Sequence, residues 1–377
     1  MSSCSEQRDI DYRFKLFYAF GIFFVVSGHC DNGGVNLFYN WFPLYSFHLA
    51  IFVFSSGYFY KEKSEDDFFG YCLKKIKNLL IPLYLWNFIY AIIITLLNFE
   101  GFRVGNKVTL YNLFIAPLNN GHQFGYNLGS WFIIPLFMVE IFNIWIRKFL
   151  FFLRKDIKDI VIFVLFMAFG IVGNIMAIKG FNTGNYLILT RFLFFLPFFA
   201  LGTLYKNKLE KFDNLPNCIY FGLIFFIQLV IIYIYKKPPS YTPSWCRFPY
   251  GPIIPYISGV LGIFFWFRIC KILTPAIGKN RIINSMANNT FSIMINHLLG
   301  FMIFNTIFAF CCKHFNIFTD FNFTAYRNNV FYWYCYKGLT QTRLFYVVFA
   351  IWFSVIVQKI VDLLKIKIKS VLPKKLK

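Results

Sequence analysis

The first apolar run of the chain ends in VVSGHCDNGG, residues 25–34, where His29 is followed two positions on by Asp31. An imidazole at the rim of an apolar segment, with a carboxylate close by, is the pairing that general acid-base chemistry uses. The ring takes a proton and the carboxylate orients it or stabilises the imidazolium. Ionisable groups at membrane depth are costly unless they line a cavity or pathway. An interfacial histidine with no chemical role is the competing reading. Gly28, just before it, permits close approach of a neighbouring helix.

Three further stretches carry chemistry-bearing side chains. In FHLAIFVFSSGYFY, residues 47–60, Ser55, Ser56 and Gly57 interrupt an apolar segment, and His48 precedes them. Small residues there admit a neighbouring helix or a ligand; His48 reads equally well as a packing residue. In YCLKKIKNLLIPLYLW, Lys74, Lys75 and Lys77 stand just before a proline-bearing apolar run. Such a cluster anchors a helix end to lipid headgroups or holds phosphates as point charges. Glu140 and Arg191 lie inside apolar runs, where a charge calls for a functional hypothesis, and a bridge between the two is one structural option. His122 and His314 fall in loops and read as solvated.

The elements that must position these residues are membrane helices. The chain has 377 residues, 58% hydrophobic and 14% charged, with 54 phenylalanines, which is more apolar surface than a soluble domain can hide. Apolar runs recur near the roughly 20 residues that a helix needs to cross a bilayer, and they lack the alternation of barrel strands. Ten spans are expected: Phe14–Gly28, Trp41–Tyr60, Leu79–Leu97, Trp131–Ile146, Ile160–Ile178, Leu187–Tyr205, Cys218–Tyr235, Ile253–Phe267, Phe291–Phe310 and Leu344–Leu364. The fold class is therefore an all-α integral membrane protein, a bundle of about ten transmembrane helices. The opening MSSCSEQRDIDYRFK is polar, so no cleaved signal peptide is expected.

Charge orients the bundle. Of the 38 lysines and arginines, 27 fall in one alternating set of loops and ends and 10 in the other. Positive residues collect on the cytoplasmic side, so both termini are expected there. That asymmetry accounts for the net charge of +22 without nucleic acid. The whole chain reads as a single membrane domain, with a core over about 11–365 and a basic cytoplasmic tail over 366–377 that reads as a solvated anchor, with a segment facing membrane lipids as the other reading. The longest stretches on the other side, 98–130 and 311–343, are mixtures of aromatic and polar residues suited to a lid or a substrate platform. Nine cysteines are scattered without a CxxC pair or zinc-finger spacing, so no metal is expected.

VVSGHC, FHLAIFVFSSGYFY, KKIKNLLIPLYLW, SWFIIPLFMVE, RFLFFLPFFALGTLYKNK and NNTFSIMINHLLGF follow one another in an order that resembles the acyltransferase family 3 membrane proteins. The fucose 4-O-acetylase-like branch looks most similar. The resemblance implies an O-acyltransferase of the cell membrane that moves an acetyl group from cytoplasmic acetyl-coenzyme A to a hydroxyl of a cell-envelope, capsular or O-antigen sugar. Free presentation of the sugar from the outer side and presentation as a lipid-linked intermediate are both open. His29 falls on the family's catalytic base, Lys74, Lys75 and Lys77 on its donor-holding cluster, Trp131 and Phe132 on its WF pair, and His297 on a histidine of the penultimate core helix. One position departs: family members commonly carry a cation eleven residues before the first histidine, and here it is Tyr18. Lys15 is the nearest cation, on nearly the same helix face and roughly 21 Å from His29 along the axis.

On this implied chemistry, His29 is the base, Asp31 supports it, and Lys15, Lys74, Lys75 and Lys77 meet the donor. Ser56, Tyr126, Trp131, Glu140, Arg191 and His297 are expected around the substrates, with Tyr126 and Trp131 stacking on sugar rings. Ser56 is the nucleophile of an alternative acyl-serine route. A flippase for lipid-linked glycans and an inactive family member are the competing functions.

Overall fold

The computed structural model describes residues 10–30, 40–153 and 158–371. Asp31 lies outside them. Helices dominate and no β-strand occurs among the described residues, only two isolated bridges, Gly105 with Phe124 and Thr242 with Arg247.

Helix α1 spans Tyr12–Gly28. Asp11 caps its start by accepting from the Arg13 N–H, and Tyr45 Oη donates to the Gly28 carbonyl at its end, at 2.6 Å. Two end groups that the helix cannot satisfy itself are thereby paired. The second expected span, Trp41–Tyr60, is not a continuous helix, which corrects the sequence reading. Pro43, which lacks an N–H, leads into a tight 3₁₀ turn over Leu44–Ser46, and only Ala50–Tyr58 forms the regular helix α2. Nine residues rise about 14 Å, too little to cross a bilayer.

α2 is held instead by α8 (Gly184–Leu204), at two reciprocal glycines. A Cβ on Gly57 would run into the Phe199 carbonyl oxygen, and one on Gly202 into that of Phe54. Thr203 Oγ1 donates to Gly57 O at 3.0 Å across the same contact.

α3 (Phe68–Lys75), a π turn (Ile76–Leu80) and α4 (Ile81–Phe99) form one long rod. The short α5 (Ala116–Asn119) and a kinked 3₁₀ stretch over Gly125–Phe132 lead into α6 (Ile133–Leu153). α7 (Asp159–Ile178) lies along α8, and α9 (Asn217–Tyr235) and α10 (Ile254–Ile277) follow. The amphipathic α11 (Arg281–Asn288) turns into α12 (Thr290–Phe315), the short α13 (Phe323–Asn328) crosses the end of the bundle, and α14 (Thr342–Val371) pairs with α12.

Eight helices among the described residues are long and apolar enough to cross a membrane, against ten expected; the 17-residue α1 and the broken second segment make the difference. α1 nevertheless sits at the centre, packed against α2, α10, α11, α12 and α14. Ion pairs gather at the end where α1 begins. Arg13 meets Asp11 and Glu210 at 2.6 and 2.7 Å, Arg147 meets Asp159 at 2.9 Å, and Arg268 meets Asp213 at 3.1 Å. At the opposite end the stretches 98–130 and 311–343 fold onto one another. Arg103 N–H donates to Arg327 O at 2.8 Å, and Gly125 sits against Val330.

Candidate active site

α1 ends at His29 because the backbone leaves the helix there, with the His29 N–H still bonded to Val26 O. The ring therefore projects from the end of the central helix. It meets His297, which is fully buried in the middle of α12. The two rings lie with centroids 4.9 Å apart, and His297 Nε2 is 2.9 Å from His29 Nδ1. Phe331, from the 311–343 cap, stacks against His29 at 5.8 Å.

The hydrogen bonds assign the tautomers. His297 Nδ1 lies 3.0 Å from Ile293 O, a carbonyl that can only accept, so Nδ1 carries the proton and neutral His297 accepts at Nε2. His29 must then donate from Nδ1, and Nε2 carries the ring's lone pair; the ring also lies within hydrogen-bond reach of the Val25 carbonyl, one turn back in α1. This is the protonation state that a general base needs, and the charge of a proton gained there is stabilised through the Nδ1–H bond to the second ring.

Along α1, about 10 Å from His29 toward the helix start, begins a cavity of about 210 Å³. Tyr18, Ile22, Phe52, Ser56, Leu136 and Met294 are among its lining residues. Its wall is mostly apolar, with the hydroxyls of Tyr18, Ser56 and Thr290 as exceptions. Met294 is one turn before His297, so the cavity reaches toward the histidine pair. Tyr18, the departure from the family pattern, is thus a cavity wall, stacked against Phe52 at 6.0 Å. Ser55 turns away and donates to Ile51 O at 2.8 Å.

Charged residues divide differently from the sequence expectation. Glu140 does not bridge to Arg191; it pairs with Lys75, Oε1 to Nζ at 2.7 Å, because α3 lies along α6 at that level. The other oxygen, Glu140 Oε2, is buried without a partner. Lys74 and Lys77 are exposed. Lys15 donates to Asn288 Oδ1 at the turn between α11 and α12, away from the lysine cluster's helix.

Arg191 is 1% exposed and spends its donors on backbone: Nε on Ser244 O at 2.8 Å, Nη1 on Asn120 O at 2.8 Å, and Nη2 again on Ser244 O. Its guanidinium lies over Trp131 at 4.5 Å, which covers one face of that ring. Tyr126 is 1% exposed. His48 is buried and bonds Leu44 O through Nδ1 at 2.7 Å, the packing role. His122 is not solvated, in contrast to the expectation. Its ring stacks on Trp245 at 4.7 Å, and Nδ1 is buried without a partner. Burial first, then the positive Arg191, holds this imidazole down to about 3, so it is neutral. His314 is exposed at the end of α12.

Sequence reasoning missed the segment LNNGHQFGYNLGSW, residues 118–131, as a source of buried polar groups. A run of amides and a histidine between aromatic residues was the available signal. Among the described residues, no group of three or more His, Cys, Asp or Glu is placed to hold a metal.

No curated protein matches the chain, and no solved structure matches it. A family model described as an acyltransferase domain does match, over residues 12–358. That span contains α1, the histidine pair and the cavity; the chain belongs to the acyltransferase family 3 membrane acyltransferases.

Proposed function

We propose that the protein transfers an acetyl group from acetyl-coenzyme A to a hydroxyl of a cell-envelope or capsular sugar, with His29 as the base. The carrying observation is the His29–His297 pair, which presents a bare Nε2 at the end of the central helix. The acceptor hydroxyl gives its proton to that nitrogen as its oxygen bonds the thioester carbonyl carbon. The C–S bond then breaks, and the proton passes to the departing thiolate. Neutral His297 holds the His29 ring and accepts a hydrogen bond from the imidazolium.

The donor side is supported by shape and charge. A narrow, mainly apolar cavity with a few hydroxyls suits a pantetheine arm. The exposed Lys74 and Lys77 suit the nucleotide phosphates as point charges. Lys75 is engaged with Glu140 and supports the rod instead. In this reading the lysine end faces the cytoplasm, as the charge asymmetry requires, in a multi-pass protein of the cell membrane.

Proton NMR of the surface glycan, from cells carrying the intact chain, a deletion, or His29→Ala at matched expression, tests the reading. Loss of the acetyl signal in both altered strains is expected. Acetylation that survives deletion overturns the function, and acetylation that survives His29→Ala alone overturns the base. Lost glycan export would favour the flippase.

A further inference from the structure

Five buried polar atoms without a hydrogen-bond partner fall within nine residues: Asn119 Oδ1, His122 Nδ1, Gln123 Oε1, and both Nδ2 and Oδ1 of Asn127. Gln123 is 2% exposed and Asn127 1%. Buried polar groups are nearly always paired, so a cluster of unpaired ones within a single segment marks a place where something else supplies the partners.

The backbone of the segment is held at several points, and the Gln123 amide is held as well. Arg191 holds Asn120 O, and Ser130 Oγ donates to Asn127 O at 2.8 Å. Gly121, at φ +69°, sits so close to Trp131 that a Cβ would strike its backbone. Asn87 donates through Nδ2 to Asn112 O and Leu113 O, so its Oδ1 must accept from Gln123 Nε2, at 2.5 Å. That bond fixes the Gln123 amide and leaves its Oε1 facing no donor.

The segment also abuts the histidine pair on two sides. Gly125 lies against Val330, the neighbour of the Phe331 that stacks on His29. Gly129 lies against the backbone of Met294, one turn before His297.

We propose that residues 119–127 are the acceptor site, which takes a neutral polyol ring and brings one of its hydroxyls to His29 Nε2. Gln123 and Asn127 read the other ring hydroxyls with His122 beside them, and Trp245, 42% exposed and stacked on His122, offers a ring face at the entrance. The chemistry selects a neutral ligand. The open atoms are amides and an uncharged imidazole, and the guanidinium that holds this segment, Arg191, is spent on carbonyls. The inference rests on the acetyl-transfer reading and adds to it which residues choose the acceptor.

The test uses the purified full-length chain in lipid nanodiscs with acetyl-coenzyme A and two kinds of probe acceptor: methyl hexopyranosides, offered one configuration at a time, and n-butanol, which has no ring hydroxyls. Wild type is expected to acetylate at least one glycoside with far higher kcat/KM than butanol. Asn127→Ala and Gln123→Met are expected to lower the glycoside-to-butanol ratio roughly tenfold or more, through the glycoside KM, with the KM for acetyl-coenzyme A held within about twofold. His122→Ala, at a half-buried position, carries the same expectation should the amide variants not fold. A ratio that does not move, or a wild type that favours butanol, overturns the acceptor site while leaving the acetyl-transfer reading in place. A wild type that turns over no acetyl-coenzyme A with any acceptor overturns that reading and the acceptor site with it.

Discussion

His29 Nδ1 and His297 Nε2 lie 2.9 Å apart, although 268 residues separate the two histidines in the chain. The pair exists because α1 ends where the middle of α12 passes it. Its polarity is set one step further back, by the carbonyl of Ile293.

The direction of that hydrogen-bond chain is testable. His29→Ala removes the base and should cost roughly 10²- to 10⁴-fold in kcat. His297→Phe should cost part of the same factor, since it deletes the side-chain acceptor for His29 Nδ1–H and leaves the Val25 carbonyl to hold the ring. His297→Gln, whose amide oxygen can accept, should retain more activity than His297→Phe. Equal losses for Phe and Gln, measured as kcat with unchanged folding, would mean that His297 only fills space.

The contact between α2 and α8 predicts stability rather than catalysis. Gly57→Ala and Gly202→Ala each force a methyl group into a carbonyl of the other helix. Overpacking of this kind costs about 1–3 kcal/mol, and the melting temperature should fall accordingly in either variant. Ser55→Ala, which adds no atom at the contact and removes a hydroxyl that donates to Ile51 O of its own helix, should change the melting temperature less.

How much of this was legible from sequence depends on the range of the interaction. Helix positions followed local hydropathy, and α7 or α9 begins within a residue of its expected start. The second segment misled because Trp41–Tyr60 is apolar enough to span, whereas Pro43 and the backbone-level contact of Gly57 make it a short helix inside the bundle. His29 announced itself at a helix end; His297 came only from the family resemblance, since nothing local ties it to a residue 268 positions away. Glu140 and Arg191 looked alike as charges in apolar runs. Their partners, Lys75 and the Ser244 and Asn120 carbonyls, are tertiary facts. His122 read as solvated because loop composition carries no information about two tryptophans folded around it.

His122 gives a pH prediction. Its imidazole is held at about 3 in the folded chain, against 6.5 for an ordinary histidine, so the unfolded chain binds the proton first as pH falls. Stability is complete above about pH 6.5 and declines from there toward pH 3. At pH 5 this one group accounts for about 2 kcal/mol at most. His122→Gln should therefore flatten the acid side of a melting-temperature profile measured between pH 7 and 5. A profile that keeps its slope would place the acid sensitivity in other groups.

The lysine cluster makes the last prediction, because the structure separates three residues that the sequence presents as one. Half-buried Lys75 is ion-paired with buried Glu140, whose carboxylate has no second partner on Oε2. Removal of Lys75 strands the buried Glu140 carboxylate, at about 3–5 kcal/mol, and removal of Glu140 costs less because Lys75 reaches solvent. Lys75→Met alone should lower the melting temperature sharply, Glu140→Leu alone should lower it less, and the double replacement should recover most of the Lys75→Met loss, since both charges then leave together. Lys74 and Lys77 are exposed, so Lys74→Ala and Lys77→Ala should leave stability nearly unchanged. Their effect should instead appear as a raised KM for acetyl-coenzyme A that grows less distinct from wild type as salt screens the phosphates. If Lys75→Met raises that KM at full stability while Lys74→Ala and Lys77→Ala change nothing, the donor's phosphates reach Lys75 and the division of labour drawn from the ion pair is wrong.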